Sequence, residues 1–275
     1  MAELQLSDKS AAISPVGPSL WQNVWVRRVV ILLLIGAVWQ ATALWQNNPI
    51  MLPSLTDTFA ALINGLAREG LVSAIAASLT TLIKGYVLSV LIALVLVALA
   101  TTNDFLRETL QTLTAMFNPL PAIALLPLAL LWFGLGEASL LFVIAHSVVW
   151  PFALAALTGF QSVPETQRMV GRNIGLTGFA YVWQILIPSA LPSLISGLKI
   201  AWAFAWRTLI AAELIFGVTA TSGGLGWYIF RNRNELYTDK VFAGLAVVIL
   251  IGLVVELVIF KTLEQRTIRR WGMQR

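Results

Sequence analysis

Six long apolar runs separated by short polar stretches restrict this chain to very few folds. They cover roughly 28–45, 72–101, 106–133, 138–160, 193–218 and 240–261. A helix crosses the hydrocarbon of a bilayer with about 20 mostly apolar residues. In lipid every backbone N–H and C=O needs a partner inside the protein, which leaves only helices and closed barrels. The ten-residue alternation of barrel strands is absent. The expected class is an all-α membrane protein with six transmembrane helices. Composition agrees, because 11% of the residues are charged and 58% are hydrophobic, whereas soluble domains carry about a quarter charged residues. The mean hydropathy is +0.82.

Charge sets the expected direction of insertion. The net charge of +5 and an isoelectric point near 9.9 invite a nucleic-acid reading, but the basic residues sit at the ends of apolar runs. They do not cluster with aromatics on one polar face, so headgroups and topology account for them. With the N-terminus inside, Lys9, Arg27, Arg28, Arg107, Arg168, Arg172, Lys199, Lys261, Arg266, Arg269, Arg270 and Arg275 are cytoplasmic. Only Arg68, Arg231, Arg233 and Lys240 lie outside, and twelve against four favours both termini in the cytoplasm. Trp45, Trp132 and Trp227 then mark the outer interface, and Trp25 and Trp271 the inner one. The organisation is a tail at 1–27, a six-helix domain at 28–262 and a tail at 263–275. Glu3 and Asp8 in the first tail, with no short apolar core before a cleavage site, argue against a secretory signal. The chain has no cysteine and a single histidine, His146, which removes thiolate chemistry, Cys-based metal sites and His clusters. No metal site is expected, and His146 is read as a packed residue.

Two external loops are expected, at 46–71 and 219–239. The first holds an amphipathic run, 59–67, with Asp57 as its N-cap. The second carries Gly223, Gly224 and Gly226 before Trp227, Tyr228 and Phe230, and reads equally well as a re-entrant gate or a solvent loop. The polar stretch 161–192 is the largest interruption of the apolar pattern. Ser162 and Glu165 have capping-box spacing, a short helix follows to about Asn173, and Gly175 suits its C-terminus. Thr177 can cap a second short helix bearing Phe179, Tyr181, Trp183 and Ile185, which Pro188 and Pro192 stop and redirect. The stretch reads either as a compact knob for a partner or as a piece packed on its own bundle or in the headgroups.

Charges within the spans are functional candidates, because an unpaired one costs several kcal/mol. Arg207 and Glu213 are six residues apart, about 240° around a helix, and do not share a face. Arg207 is expected on a translocation pathway, where its guanidinium fork suits an oxyanion, or in a structural pairing. Lys84 is expected to snorkel to the outer headgroups. Glu213 is a candidate partner for Lys84 or the gate loop, and Glu256 for another helix. Pro119, Pro121 and Pro127 bend the third run, and such irregularity is tolerated along a cavity. Asn118, Leu125, Ala129 and Phe133 are therefore placed beside the pathway, together with Arg207 and Glu213.

The residues also resemble a known family. Gly175, nine residues, then Ile185-Leu186-Ile187-Pro188 is similar to the cytoplasmic-loop signature of membrane subunits in ATP-binding-cassette (ABC) importers. The blocks 119–137, 212–217 and 223–230 are similar to the sulfonate, taurine, nitrate and bicarbonate branch. Met169-Val170-Gly171 stands where that family often has Glu-Ala-Ala, and Ile187 where it has leucine. The resemblance implies a type I importer permease in a bacterial inner membrane. It further implies a second permease copy, two cytoplasmic ATPase subunits that bind ATP and Mg, and a periplasmic or lipid-anchored binding protein delivering a small anion. It implies ATPase-facing roles for Glu165, Arg168, Arg172, Gly175, Leu176, Thr177, Phe179, Tyr181, Trp183, Ile185 and Pro188. The chain lacks a G-x-x-x-x-G-K-[ST] phosphate loop and the arrangements of an intramembrane protease. It is therefore not expected to be an enzyme or to hold a cofactor. The alternative reading is a stand-alone channel or secondary transporter.

Overall fold

The computed structural model describes residues 23–216 and 223–269. Most of the N-terminal tail with Lys9, the segment 217–222, and Arg270, Trp271 and Arg275 lie outside the described residues. Among the described residues the chain is helical throughout. In chain order the helices are α1 (Val24–Gln46), α2 (Leu55–Ala67), α3 (Leu71–Ala100), α4 (Asp104–Phe117), α5 (Leu126–Phe133), α6 (Glu137–Gln161), α7 (Glu165–Asn173) and α8 (Gly178–Tyr181). There follow α9 (Ile187–Ser189), α10 (Leu191–Phe216), α11 (Leu225–Asn234), α12 (Thr238–Val254) and α13 (Lys261–Glu264). A π-turn at Val255–Phe260 joins α12 to α13, so this last helix is continuous.

Five helices are long and apolar enough to cross a membrane, and a sixth span exists if one bent pair counts as one. That pair corrects the expectation of a single third span. α4 ends at Phe117, and a 3-10 turn, Ala122–Leu125, leads into α5 with the axes bent by 88°. Pro119 and Pro121 supply no N–H to continue the helix, while Pro127 sits in the first turn of α5, where that donor is not needed. A second correction concerns α2. Its N-cap is Ser54, which accepts the Asp57 N–H at 3.1 Å and donates back to the Asp57 carboxylate at 2.6 Å. Asp57 is thus the third residue of the helix and the reciprocal half of a capping box.

α6 is the centre of the bundle. Over half of its span is buried inside the protein (56%), against 6% for α1 and 22% for the last helix. Leu32, Leu33 and Val38 of α1 are about two-thirds exposed, as befits a lipid-facing helix. α6 packs between α3 and α10; α10 packs on α11, and α11 on α12. Lipid tails are as apolar as leucine, so helices associate by close packing rather than by escape from water. The buried face of α3 is accordingly a stripe of small residues: Ala74, Ser78, Thr81, Gly85, Ser89 and Ala93. A Cβ at Gly85 would stand 2.9 Å from Ile144, and one at Gly197 of α10 2.6 Å from the Ala155 Cβ. Polar ties fix the angles: the Tyr86 hydroxyl donates to the Leu198 carbonyl at 2.8 Å, and the Trp206 indole to Val248 at 3.3 Å.

Interhelical ties gather at the two ends of the bundle. At one end Thr238 donates to the Ile50 carbonyl and Lys240 pairs with Glu69 at 2.8 Å. At the other, Lys199 pairs with Glu256 at 2.9 Å, an interhelical bridge. Lys84 meets Glu137, in the first turn of α6, at 2.9 Å.

Enlarging the tightest contact tests the close-packing account. Gly197→Leu should overpack the α6–α10 seam and cost about 1–3 kcal/mol, read as a lower melting temperature of the purified protein. Ala100→Val, where α3 ends, should have a smaller effect.

Candidate coupling knob and transport pathway

The stretch after α6 forms a two-helix knob. The expected capping box does not form. Ser162 still ends α6, its hydroxyl donating to the Gly159 carbonyl at 2.8 Å, and α7 begins only after Pro164. Glu165 instead faces Arg172 at 3.4 Å and Arg168 at 3.9 Å. α7 ends at Asn173 with Gly175 at φ +77°. The Leu176 N–H reaches the Gly171 carbonyl and the Gly175 N–H that of Arg172, both at 3.0 Å. This is the Schellman geometry that glycine permits at no steric cost. Thr177 precedes α8 in extended conformation but makes no side-chain cap.

Pro188 does not stop the second helix. A π-turn, Val182–Leu186, connects α8 to α9, with the Ile187 N–H reaching back to the Val182 carbonyl. This wider register carries the helix past the proline, and the chain turns at Ala190 before α10.

Knob residues divide into two sets. Arg168 fastens the knob to the bundle, donating to the Phe160 carbonyl near the end of α6 at 2.6 Å and to the Val163 carbonyl just beyond it at 3.1 Å. Tyr181 and Ile185 clamp Gly171, where a Cβ would sit 2.9 Å from both side chains. These three residues hold the knob together. The outward set is Met169, Val170, Ile174, Phe179 and Trp183, each more than half exposed. Phe179 and Trp183 stack at 6.2 Å with 17° between rings. Glu165, Arg172, Gly175 and Thr177 are exposed beside them, and Leu176 and Pro188 are half-buried.

At the opposite end Glu213 is 4% exposed. It was read both as a pathway residue and as a candidate partner of the gate loop; it is enclosed, and one of its partners is Gly226 of that loop. Ser78 of α3 donates to both carboxylate oxygens at 2.8 and 2.7 Å, and the Gly226 N–H donates to one at 2.9 Å. Ser78 in turn accepts the Leu225 N–H at 2.7 Å. Leu225 and Gly226 are the first residues of α11, whose initial amides have no partner within the helix. Glu213 thus places a hydrogen-bond acceptor at the N-terminus of α11 and ties three helices together. The glycines follow from this contact. A Cβ on Gly224 would collide with the Glu213 carboxylate, and one on Gly226 would stand 2.7 Å from the Ile210 carbonyl. The loop is therefore packed at this point rather than a solvent loop.

The other pathway residues separate. Ala129 is fully buried, its carbonyl accepting from Ser139, and lines no open path in this conformation. Leu125 is half-buried, and Phe133 is half exposed against Phe142 at 5.5 Å. Arg207 lies on the exposed face of α10. Its Nε donates to the Ala203 carbonyl at 2.9 Å, and the guanidinium stacks 5.0 Å over Phe204. It makes no ion pair among the described residues. Asn118 is exposed at the α4–α5 bend and lines a cavity of about 160 Å³ with Phe204 and Thr208 of α10 and His146 and Ser147 of α6. Sequence reasoning missed Ser78, an ordinary small residue of an apolar helix. It also missed the clamp on Gly171.

A multi-pass helical membrane protein with a two-helix knob at one end and a carboxylate-tied short helix at the other is an architecture of transport subunits. Residues 85–269 match the family described as binding-protein-dependent transport system inner membrane component, and the chain belongs to that family. It is 30% identical to the taurine transport system permease protein of Escherichia coli K12 over 230 residues, 82% of each chain. It is 28% identical to the nitrate import permease protein of Synechocystis over 84% of this chain and 85% of that one. A putative aliphatic sulfonates transport permease protein of Bacillus subtilis is 27% identical over 90% and 88%.

Glu213→Ala leaves the Ser78 hydroxyl and the Gly226 amide without an acceptor, which typically costs about 1–3 kcal/mol for each buried group. Hydrogen exchange at Leu225 and Gly226 should accelerate strongly in this variant. Glu213→Gln keeps one acceptor oxygen and should fall between it and the parent.

Proposed function

We propose that the chain is the permease subunit of an ATP-driven ABC importer for a small anionic solute. The observation that carries this reading is the knob: a rigid element whose apolar face is turned outward. Monomeric proteins seldom expose such patches without a partner. Two ATPase subunits, binding ATP and Mg, each receive one knob, with Phe179 and Trp183 as the aromatic anchors and Met169, Val170 and Ile174 around them. A second copy of the chain completes the pathway, and a binding protein delivers the solute at the α2–α11 end. Closure of the ATPases draws the knobs together and reorients the bundle, a two-state rearrangement of packed helices. Both termini are cytoplasmic in this arrangement, and the membrane is the bacterial inner membrane.

The knob fits this role because it cannot move alone. Arg168 locks it to α6, the central helix, and the α8–α9 helix is joined to α10 through the single turn residue Ala190. A displacement at Phe179 therefore reaches both walls of the bundle. The replacement of Glu-Ala-Ala by Met169-Val170-Gly171 makes this side of the contact apolar and keeps its last residue small for Tyr181. Taurine, nitrate and sulfonates in the relatives' names share an oxyanion head, and Arg207 is the cation of α10 suited to it.

Two measurements test this. The chain should co-purify with an ATPase in equal amounts, and Phe179→Ala with Trp183→Ala should release the ATPase while leaving the fold intact; retention would sink the docking assignment. In proteoliposomes, Arg207→Ala should weaken the apparent affinity for the transported anion by ~10-fold or more, and Arg207→Lys by less. Unchanged affinity in a folded Arg207→Ala variant would make that arginine structural. Flux from this chain alone without ATP would favour a channel.

A further inference from the structure

The cavity at the α4–α5 bend contains chemistry that the packing of the bundle leaves unused. His146 lines it, and both imidazole nitrogens are shielded from solvent with no hydrogen-bond partner. A shielded polar group without a partner costs free energy, so such groups are usually satisfied by protein, water or ligand. The ring itself is held in place. It lies edge-on to Phe117 at 6.2 Å and to Trp150 at 6.3 Å, and those two rings stack on each other at 5.0 Å. The aromatic frame orients the imidazole without using either nitrogen.

Other polar groups converge on the same space. Asn118 stands at the end of α4, where the prolines break the chain, and Thr208 faces from α10. Pro151 of α6 also lines the cavity and has no N–H for the Ser147 carbonyl four residues earlier, so a backbone acceptor is freed beside it. Among the described residues no charged side chain lines the cavity. The depth is notable. At 1.5 Å per residue His146 lies about 14 Å along α6, a depth near the middle of a hydrocarbon layer of about 30 Å. Broken helices at the midplane are where transporters place solute contacts. At about 160 Å³ the cavity is far larger than a single water needs.

We propose that this cavity is a midplane binding site for a small oxyanion-bearing solute, with His146, Asn118 and Thr208 as its hydrogen-bonding contacts and Phe204 as its apolar wall. It takes the anion in partly dehydrated form, replacing water by the hydrogen-bonding groups of these side chains. The solute's arrival there rests on the permease reading, but binding does not.

The single histidine makes the site directly observable. The chain, labelled with ¹⁵N-histidine, carrying a histidine-free tag and reconstituted with its co-purifying subunits, gives imidazole signals from His146 alone. Nitrate, bicarbonate and taurine are titrated, with choline chloride as control. At least one oxyanion should shift the signals saturably, choline chloride should not, and Asn118→Ala with Thr208→Val should abolish the saturation while the imidazole signals persist. An imidazole that responds to no oxyanion, or to all salts alike, marks a water-filled void and overturns the site. A saturable shift that survives the double substitution also overturns it. Saturable binding in a preparation that shows no ATP-driven uptake keeps the site and removes the permease reading; uptake with no shift does the reverse.

Discussion

The structure depends on how closely α6 can approach its two neighbours. Buried in a membrane, these helices gain nothing from leaving water, so their association rests on van der Waals contact and on a few hydrogen bonds. Gly85 and the small residues of α3 on one side, and Gly197 on the other, bring backbones near enough for that contact to accumulate. With α6 fixed, the knob at one end and the α11 clasp at the other are attached to the same central element. Arg168 makes the first attachment through carbonyls near and just beyond the end of α6. Glu213 makes the second through α10 and α3.

These two attachments differ in kind, and the difference suits a transporter. The knob is joined by a cation to backbone acceptors, half-buried, at the edge of the bundle. The clasp is a carboxylate in the protein interior that satisfies a hydroxyl and a helix N-terminus. Breaking it would strand several buried polar groups at once, so α11 is expected to move with α10 and α3 as one body. The bend between α4 and α5 is the opposite case. There the prolines remove backbone bonds, and in the cavity that Asn118 and His146 line both His146 ring nitrogens have no partner among the described residues. Rigidity at the ends and unfulfilled polarity at the midplane are the properties an alternating-access bundle needs.

Much of this was legible in the sequence, for reasons that are local. The apolar runs and the glycine after α7 follow from lengths and φ preferences. The errors were also local signals, overridden by neighbours. Ser162 has the spacing of a cap but was already engaged with α6, and Pro188 was carried through by a π-turn. Asp57 closes a capping box begun by Ser54. Glu213 looked like a pathway charge because its partners, Ser78 and the Gly226 amide, are 135 and 13 residues away in the chain.

By itself the sequence determined that the chain is a helical membrane bundle, and it set residues 161–192 apart as the largest polar interruption of the apolar runs. Each of these follows from the solvent: lipid forbids unsatisfied backbone, and its thickness sets the length of a span. Only the tertiary structure decided which polar groups are spent and which remain free. Glu213 and Arg168 are spent on helix ends, Tyr181 on the clamp at Gly171, and Lys84 on Glu137. His146, read as ordinary packing, lines a cavity with Asn118, and its ring nitrogens have no partner among the described residues. Such assignments depend on distances between residues far apart in the chain, which no local pattern encodes.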